Sequence, residues 1–302
     1  MTDGSVDLVI PARRADLGGF QVGRVLPYAR RRMVGPFIFL DHMGPLTVAA
    51  GAPRSMDVRP HPHIGLATVT YLFEGAITHR DSLGVEQEIR PAEVNWMTAG
   101  RGISHSERFE ALRATGGTMH GIQAWVALPD AEEETAPAFE HYGMADMPVV
   151  DEGGMRARII AGAAFGAASR VTTRSPLFYA HLELAQGGRV AVPDGHGERA
   201  AYVVRGSVLL DGVRYGEGQM LVFRQGAAVA LAAEAAATVM LLGGEPVGPR
   251  HIWWNFVSSR KERIEQAKAD WKAGRIPLPP ADAMEHIPLP EEPDRAPPQP
   301  MS

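Results

Sequence analysis

Glycine and proline interrupt this chain so often that long helices are excluded from most of it: together they make up 57 of its 302 residues. Between them lie short apolar runs, the pattern of many brief strands separated by turns, so the chain is expected to be all-β. Phe37–Leu40, Leu66–Phe73, Val85–Ile89 and Gly121–Leu128 are the clearest strands of the first half. Leu177–Leu184, Arg199–Arg205, Ser207–Leu210, Met220–Phe223 and Thr238–Leu242 continue the rhythm in the second. Val85, Gln87 and Ile89 alternate with Glu86 and Glu88, as a half-exposed strand requires. Asp211-Gly212 predicts a hairpin turn between Leu210 and Val213.

Two pairs of side chains on such strands carry chemistry. A strand sends residues i and i+2 to one face, about 6.6 Å apart, so His61 and His63 point the same way. His105 and Glu107 repeat the spacing. If the two segments face each other across a small barrel, three imidazoles and one carboxylate converge on one point, where a metal needs bonds of about 2.0–2.2 Å. Such a donor set favours Fe, Mn, Ni, Cu or Zn over Ca or Mg and leaves positions open on an octahedral ion. Open positions imply chemistry and not a structural plug. Pro60 and Pro62 flank the first histidine, which places that strand at a rim or edge, where a lost ladder hydrogen bond is tolerated. Gly100 and Gly102 permit a tight turn just before the second pair.

The stretch His61-Pro62-His63-Ile64-Gly65 with Thr68-Val69-Thr70-Tyr71-Leu72, followed by Met97-Thr98-Ala99-Gly100-Arg101-Gly102-Ile103-Ser104-His105-Ser106-Glu107, resembles the pirin family of the cupin superfamily. Gly35-Pro36-Phe37-Ile38-Phe39-Leu40-Asp41-His42-Met43-Gly44-Pro45 and Met119-His120-Gly121-Ile122-Gln123-Ala124-Trp125-Val126 fit the same pattern. The match is specific over residues 18–130 and looser afterwards. The resemblance implies two cupin-type β-barrels in tandem, a bicupin, with Fe(II) held by His61, His63, His105 and Glu107; Mn, Ni, Cu and Zn are the alternatives. It also implies a reaction, the ring-opening dioxygenation of flavonols such as quercetin, with a small aromatic substrate and dioxygen as partners. In that reaction Glu107 is the catalytic base, or else a constant fourth ligand, and Phe73, Trp96, Met97 or Trp125 would wall an aromatic pocket. Gln123, on an apolar strand, is a candidate either to hydrogen-bond a ligand imidazole or to make a structural hydrogen bond. The same resemblance implies an alternative, an iron-dependent redox-sensing regulator that binds a transcription factor or metabolic enzyme without turnover. His42 and His120 are expected to be structural, and His42, His79 and His120 are set aside as ligands on the ground that none has a partner two residues away.

The expected divisions are a metal-binding barrel over 1–130, an acidic and irregular linker over 131–154, a second barrel over 155–247, and a helix with a proline-rich tail over 248–302. Laying Tyr71–Gly75 over Tyr202–Gly206 puts Asp194 at the place of His63 and Val192 at that of His61. The second barrel is therefore a degenerate copy, expected to hold no metal. Ser259-Arg260-Lys261-Glu262 is a capping-box pattern opening a helix, with Ile264, Ala267 and Trp271 on one face and Gly274 at its close. Nine prolines between Ile276 and Ser302 predict an extended or disordered tail unless it packs on the body.

A net charge of −5 and a single dense basic run, Arg30-Arg31-Arg32, argue against direct nucleic-acid or membrane binding; that run is read as a solvated loop edge. The chain has no cysteine, which excludes disulfides and thiolate ligation and leaves redox sensing to a metal. No apolar run is long enough to cross a bilayer, no signal-peptide pattern opens the chain, and a cytoplasmic monomer is expected.

Overall fold

A computed structural model describes Gly4 to Glu291. Its chain divides into two compact units. One comprises the chain up to Arg13, Gly23–Ile38 and Tyr142–Pro246; the other comprises Arg14–Val22, Phe39–His141 and the chain from Val247 on. This is less linear than barrels at 1–130 and 155–247: the first strand, Val6–Pro11, pairs with Gln219–Phe223, and residues beyond Val247 belong with the histidine-bearing unit.

That histidine-bearing unit is built from two antiparallel sheets. The smaller joins β2 (Val58–His63), β4 (Ile77–Asp81), β5 (Glu86–Ile89) and β7 (Ile103–Arg108) in the order β2-β7-β4-β5, so β2 lies at an edge, as its prolines require. The larger sheet contains β1 (Phe37–Val48), β3 (Leu66–Glu74), β6 (Val94–Thr98), β8 (Gly117–Ala127) and β9 (Ala138–Tyr142), in the order β9-β6-β3-β8-β1. Contacts of Thr70 with Glu107 and of His63 with Trp125 show that the two sheets face one another across an interior. Strand β9 corrects the reading of 131–154 as irregular throughout. Ala138–Tyr142 is half-buried along its whole length at a sheet edge, so it lacks the alternation that would mark it in sequence.

In the other unit, one sheet runs Val6–Pro11, Gln219–Phe223, Glu198–Arg205, Ala237–Gly244, Leu177–Leu184, Met155–Ala164 and Val149–Glu152. A second, four-stranded sheet contains Ser207–Leu210 and Val213–Gly216. The turn between these two strands is the expected one: Leu210 pairs with Val213, and Asp211 and Gly212 both have positive φ, 53° and 76°. Leu182, Val192, Val203, Leu221, Leu231 and Leu241 are among the residues that fill its core. Arg31 is not simply solvated, since it pairs with Glu198 at 3.0 Å and with Asp7 at 3.4 Å.

The C-terminal helix, Lys261–Lys272, buries Ile264, Ala267 and Trp271 as its pattern predicts, against Ile64, Phe256 and Ile276. Its expected capping box does not form. Ser259 instead pairs with Glu133 through its backbone N–H at 2.7 Å and its hydroxyl at 3.1 Å, and the helix starts from Arg260 without a side-chain cap. Glu133 is also the partner of the buried Arg250 at 3.0 Å, so a tertiary ion pair has claimed the serine. Beyond Gly274 the chain packs on the body as far as it is described; residues 292–302 of the expected disordered tail lie outside the described residues. Pro277 accepts a hydrogen bond from Ser104, Ile287 donates one to the carbonyl of Pro60, and Trp271 Nε1 donates to the carbonyl of Ile287.

Candidate metal centre

Strands β2 and β7 are neighbours in one sheet, not segments facing each other across the barrel. His105 lies directly opposite His61 in the register, and Ile103 opposite His63. Pairing within a sheet brings Cα atoms to about 4.5–5.5 Å, closer than the roughly 10 Å between packed sheets, which suits a shared ion better. The register slips between His105 and Glu107, a bulge of the kind that re-aims a side chain beside a site. Gly100 and Gly102, with φ of 50° and 149°, make the turn that brings the chain into β7.

The three imidazoles converge. One donor atom from each of His61, His63 and His105 lies within 4.8 Å of the others, the one such group among the described residues. Their ring centroids are 4.4 to 5.1 Å apart, and all three side chains are buried. Each ring is oriented through Nδ1. His61 Nδ1 bonds the carbonyl of Arg59 at 2.9 Å, and His63 Nδ1 that of Asn255 at 3.2 Å. His105 Nδ1 meets His79 Nδ1 at 3.3 Å. A backbone carbonyl only accepts, so His61 and His63 carry their proton on Nδ1 and present a bare Nε2 lone pair, the form a metal ligates. Burial pushes the pKa of His61 down to about 4, against a smaller upward pull from the Arg59 carbonyl, and pushes those of His63 and His105 well below the ordinary imidazole value. All three rings are thus neutral at pH 7. His105 Nε2 is buried with no hydrogen-bond partner, an unsatisfied acceptor that a cation would satisfy. The residues therefore fit a transition-metal ion.

Glu107 is not part of the three-imidazole group. Its carboxylate lies 3.5 Å from Thr70 Oγ1, which is also 2.8 Å from Gln123 Oε1. Burial pushes its pKa up to about 7, with a smaller opposing pull from the Thr70 hydroxyl. Gln123 thus touches Thr70 and not an imidazole. Of the expected aromatic wall, Trp125 does meet the cluster, edge-on to His63 at 5.1 Å and stacked on Phe39 at 4.1 Å. Met97 pairs with Thr68, and so shares the face on which Thr70 meets Glu107. Trp96 pairs with Val69 and lies on the other face, while Phe73 packs beside Tyr71 and His120. His42 and His120 bond each other through Nε2 at 2.8 Å.

Sequence reasoning missed Asn255, Arg59 and Phe39, and it set aside His79. A main-chain carbonyl leaves no signature of residue type, so the first two were not findable. His79 had a legible signal in Asp81, two residues on along the same strand face.

Two barrels in tandem, one with histidines gathered inside it, define a bicupin. Residues 19–126 match the Pirin family and residues 179–277 the Pirin C-terminal cupin domain. A pirin-like protein of Caulobacter vibrioides is 62% identical over 95% of this chain and 100% of its own length. The chain belongs to the pirin family. It is also similar to a crystal structure of quercetin 2,3-dioxygenase from Acinetobacter baumannii, with 35% identity, a TM-score of 0.88 and coverage of 96% and 97% of the two chains. A bacterial pirin from Escherichia coli, solved in complex with nickel(II), shares the fold at 19% identity and a TM-score of 0.64, over 79% of this chain and 99% of that one.

Proposed function

We propose that this protein is a mononuclear metal-dependent dioxygenase of the quercetin 2,3-dioxygenase type, acting on flavonols or related enolic aromatics. The observation that carries the reading is the gathering of three buried, neutral imidazoles, two of them turned by Nδ1 to backbone carbonyls, in a barrel interior that also holds the buried carboxyl of Glu107, a candidate general base. His61, His63 and His105 would hold the ion, with Glu107 a fourth donor or a base beside it. The donor set suits Fe, Mn, Ni, Cu or Zn; Fe(II) is preferred because the family resemblance implies it, and the nickel(II) complex of the Escherichia coli pirin keeps Ni within the reading. When bound, the ion supplies Lewis acidity and redox access to dioxygen.

The chain's own part is positioning and proton transfer. Trp125, backed by Phe39, offers an aromatic face beside His63 against which a flat ring can lie. Glu107 takes the proton of the substrate's enolic hydroxyl, and the Thr70–Gln123 pair steadies the carboxyl from the opposite sheet. Similarity to the Acinetobacter baumannii dioxygenase supports the substrate class.

The test is dioxygen consumption by the anaerobically Fe(II)-loaded protein on adding quercetin, read against His105→Ala loaded in the same way. Metal-dependent uptake that the variant lacks is the expected result. No uptake above the variant with any flavonol would overturn the enzyme reading and favour the redox-sensing regulator, whose partner affinity would then follow the oxidation state of the iron.

A further inference from the structure

Of the three imidazoles, His105 alone is held by another side chain. Its Nδ1 meets Nδ1 of His79 at 3.3 Å, and His79 Nε2 in turn meets Asp81 Oδ2 at 3.0 Å. Asp81 is fixed from its other oxygen: Oδ1 accepts the backbone N–H of Leu83 at 2.9 Å and of Val85 at 3.2 Å. The His79 ring lies flat on Phe139, with centroids 4.5 Å apart and planes 21° from parallel. Asp81 and His79 are both buried, and neither has a part in the reaction just described.

The polarity of this chain of hydrogen bonds follows from its far end. A carboxylate can only accept, so the proton between Asp81 and a neutral His79 sits on His79 Nε2. His79 Nδ1 is then a bare acceptor. His105 must donate to it from Nδ1, which leaves His105 Nε2 as a lone pair, the same buried atom that lacks a hydrogen-bond partner. On these grounds we infer that Asp81 and His79 are positioning residues which fix the tautomer and ring angle of His105 and so complete the metal site. The relay raises the donor strength of one ligand through a carboxylate at one remove, where His61 and His63 rely on neutral carbonyls. The inference rests on the metal-site reading.

The isosteric change Asp81→Asn separates this role from mere packing. Oδ1 must stay an acceptor for two backbone N–H groups, so the new amide turns its NH2 toward His79 Nε2. His79 then has to accept at Nε2 and carry its proton on Nδ1, where it opposes the His105 Nδ1–H. Either the bond breaks or His105 moves its proton to Nε2, and both weaken a metal ligand. His79→Phe keeps the stack on Phe139 but removes the acceptor. His79→Gln can restore the polarity, its amide oxygen facing His105 and its NH2 facing Asp81.

The experiment titrates metal-free wild type and these three variants with Co(II), reading affinity and the visible ligand-field bands, with apo thermal unfolding as a check that each is folded. His61→Ala is included as the control on the site itself. The expected result is that Asp81→Asn and His79→Phe lose about 10–100-fold in Co(II) affinity with altered bands, while His79→Gln recovers most of both. Wild-type affinity and spectrum in Asp81→Asn and His79→Phe, or a His79→Gln no better than His79→Phe, would overturn the inference. Undiminished binding in His61→Ala would overturn the metal-site reading itself.

Discussion

At the scale of single residues, the site depends on burial that keeps its histidines neutral. His61 or His105 changed to alanine is expected to empty the site while the barrel stays folded, since the lost atoms are ligands more than packing. Metal content by elemental analysis beside circular dichroism checks this, and normal metal in both variants would remove the assignment. The buried groups also make the metal-free protein pH-sensitive in two opposing ways. His61, with its folded pKa near 4 against an ordinary 6.5, contributes stability that is present above pH 6.5 and is lost as pH falls toward 4. Glu107 has its folded pKa raised from 4.5 to about 7, so the cost of burying it is absent below pH 4.5 and fully felt above pH 7. In the metal-free state, wild type should therefore lose about 3 kcal/mol relative to Glu107→Gln between pH 4.5 and 7.5. Urea unfolding of both proteins at the two pH values measures it, and a constant difference would show that Glu107 is not desolvated. The ligands were legible in the sequence because a strand converts i, i+2 spacing directly into a shared face. The groups behind them were not, because His63 is oriented by the carbonyl of Asn255, 192 residues away, and any residue could supply that carbonyl.

At the scale of elements, the strand that carries His105 and Glu107 is gripped on its other face by the segment after the helix. Ser104 donates to the carbonyl of Pro277 at 2.5 Å, and Ser106 to Asp282 at 2.6 Å. Arg108, 1% exposed, pairs with Asp282 at 2.7 Å, Glu285 at 3.0 Å and Asp57 at 3.6 Å. Removing one carboxylate leaves a buried guanidinium partly unpaired, so Asp282→Ala is expected to destabilise by about 1.5–3 kcal/mol. Chemical denaturation measures that loss, and a change within error would show that Glu285 and Asp57 suffice. The turn after His63 is as tightly specified. Gly65 has φ +68°, and a Cβ there would lie 2.0 Å from the carbonyl oxygen of Val257. Gly65→Ala must push apart β2 and the hairpin that supplies the Asn255 carbonyl, so it is expected to lower both thermal stability and metal affinity. Melting and Co(II) titration test the pair of effects together. The strands and the Asp211-Gly212 turn were legible because period and turn chemistry are local. The capping box failed because Glu133 outcompeted the helix for Ser259, and the proline-rich segment concealed its packing because its anchors, Asp282 and Trp271, are few and widely spaced.

For the whole molecule, sequence order and spatial order diverge. All four proposed ligand residues lie before position 130, which makes the first 130 residues look like a complete metal-binding barrel. The histidine-bearing unit nonetheless includes the chain from Val247 on, and that segment supplies the Asn255 carbonyl, a bridge from Phe256 to Ile64, and the apolar cover of Ile264, Ala267 and Trp271. The other unit takes the strand Val6–Pro11 from the opposite end of the chain. Val192, which the alignment of Tyr71–Gly75 with Tyr202–Gly206 sets against His61, is packed into a core of leucine and valine, and among the described residues the one group of imidazoles that could hold a metal is His61, His63 and His105. The full chain is therefore expected to bind one equivalent of transition metal. A fragment ending at Pro246 keeps every proposed ligand and should still bind far less, because His63 loses the acceptor that orients its ring and β2 loses its cover. Removal of the residues up to Pro11 strips a strand from the other unit and should leave about one metal per chain. Elemental analysis of the two truncated proteins, each checked for folded β-structure by circular dichroism, decides the matter: metal retained in the fragment ending at Pro246 would mean that the segment from Val247 on is not needed to build the site.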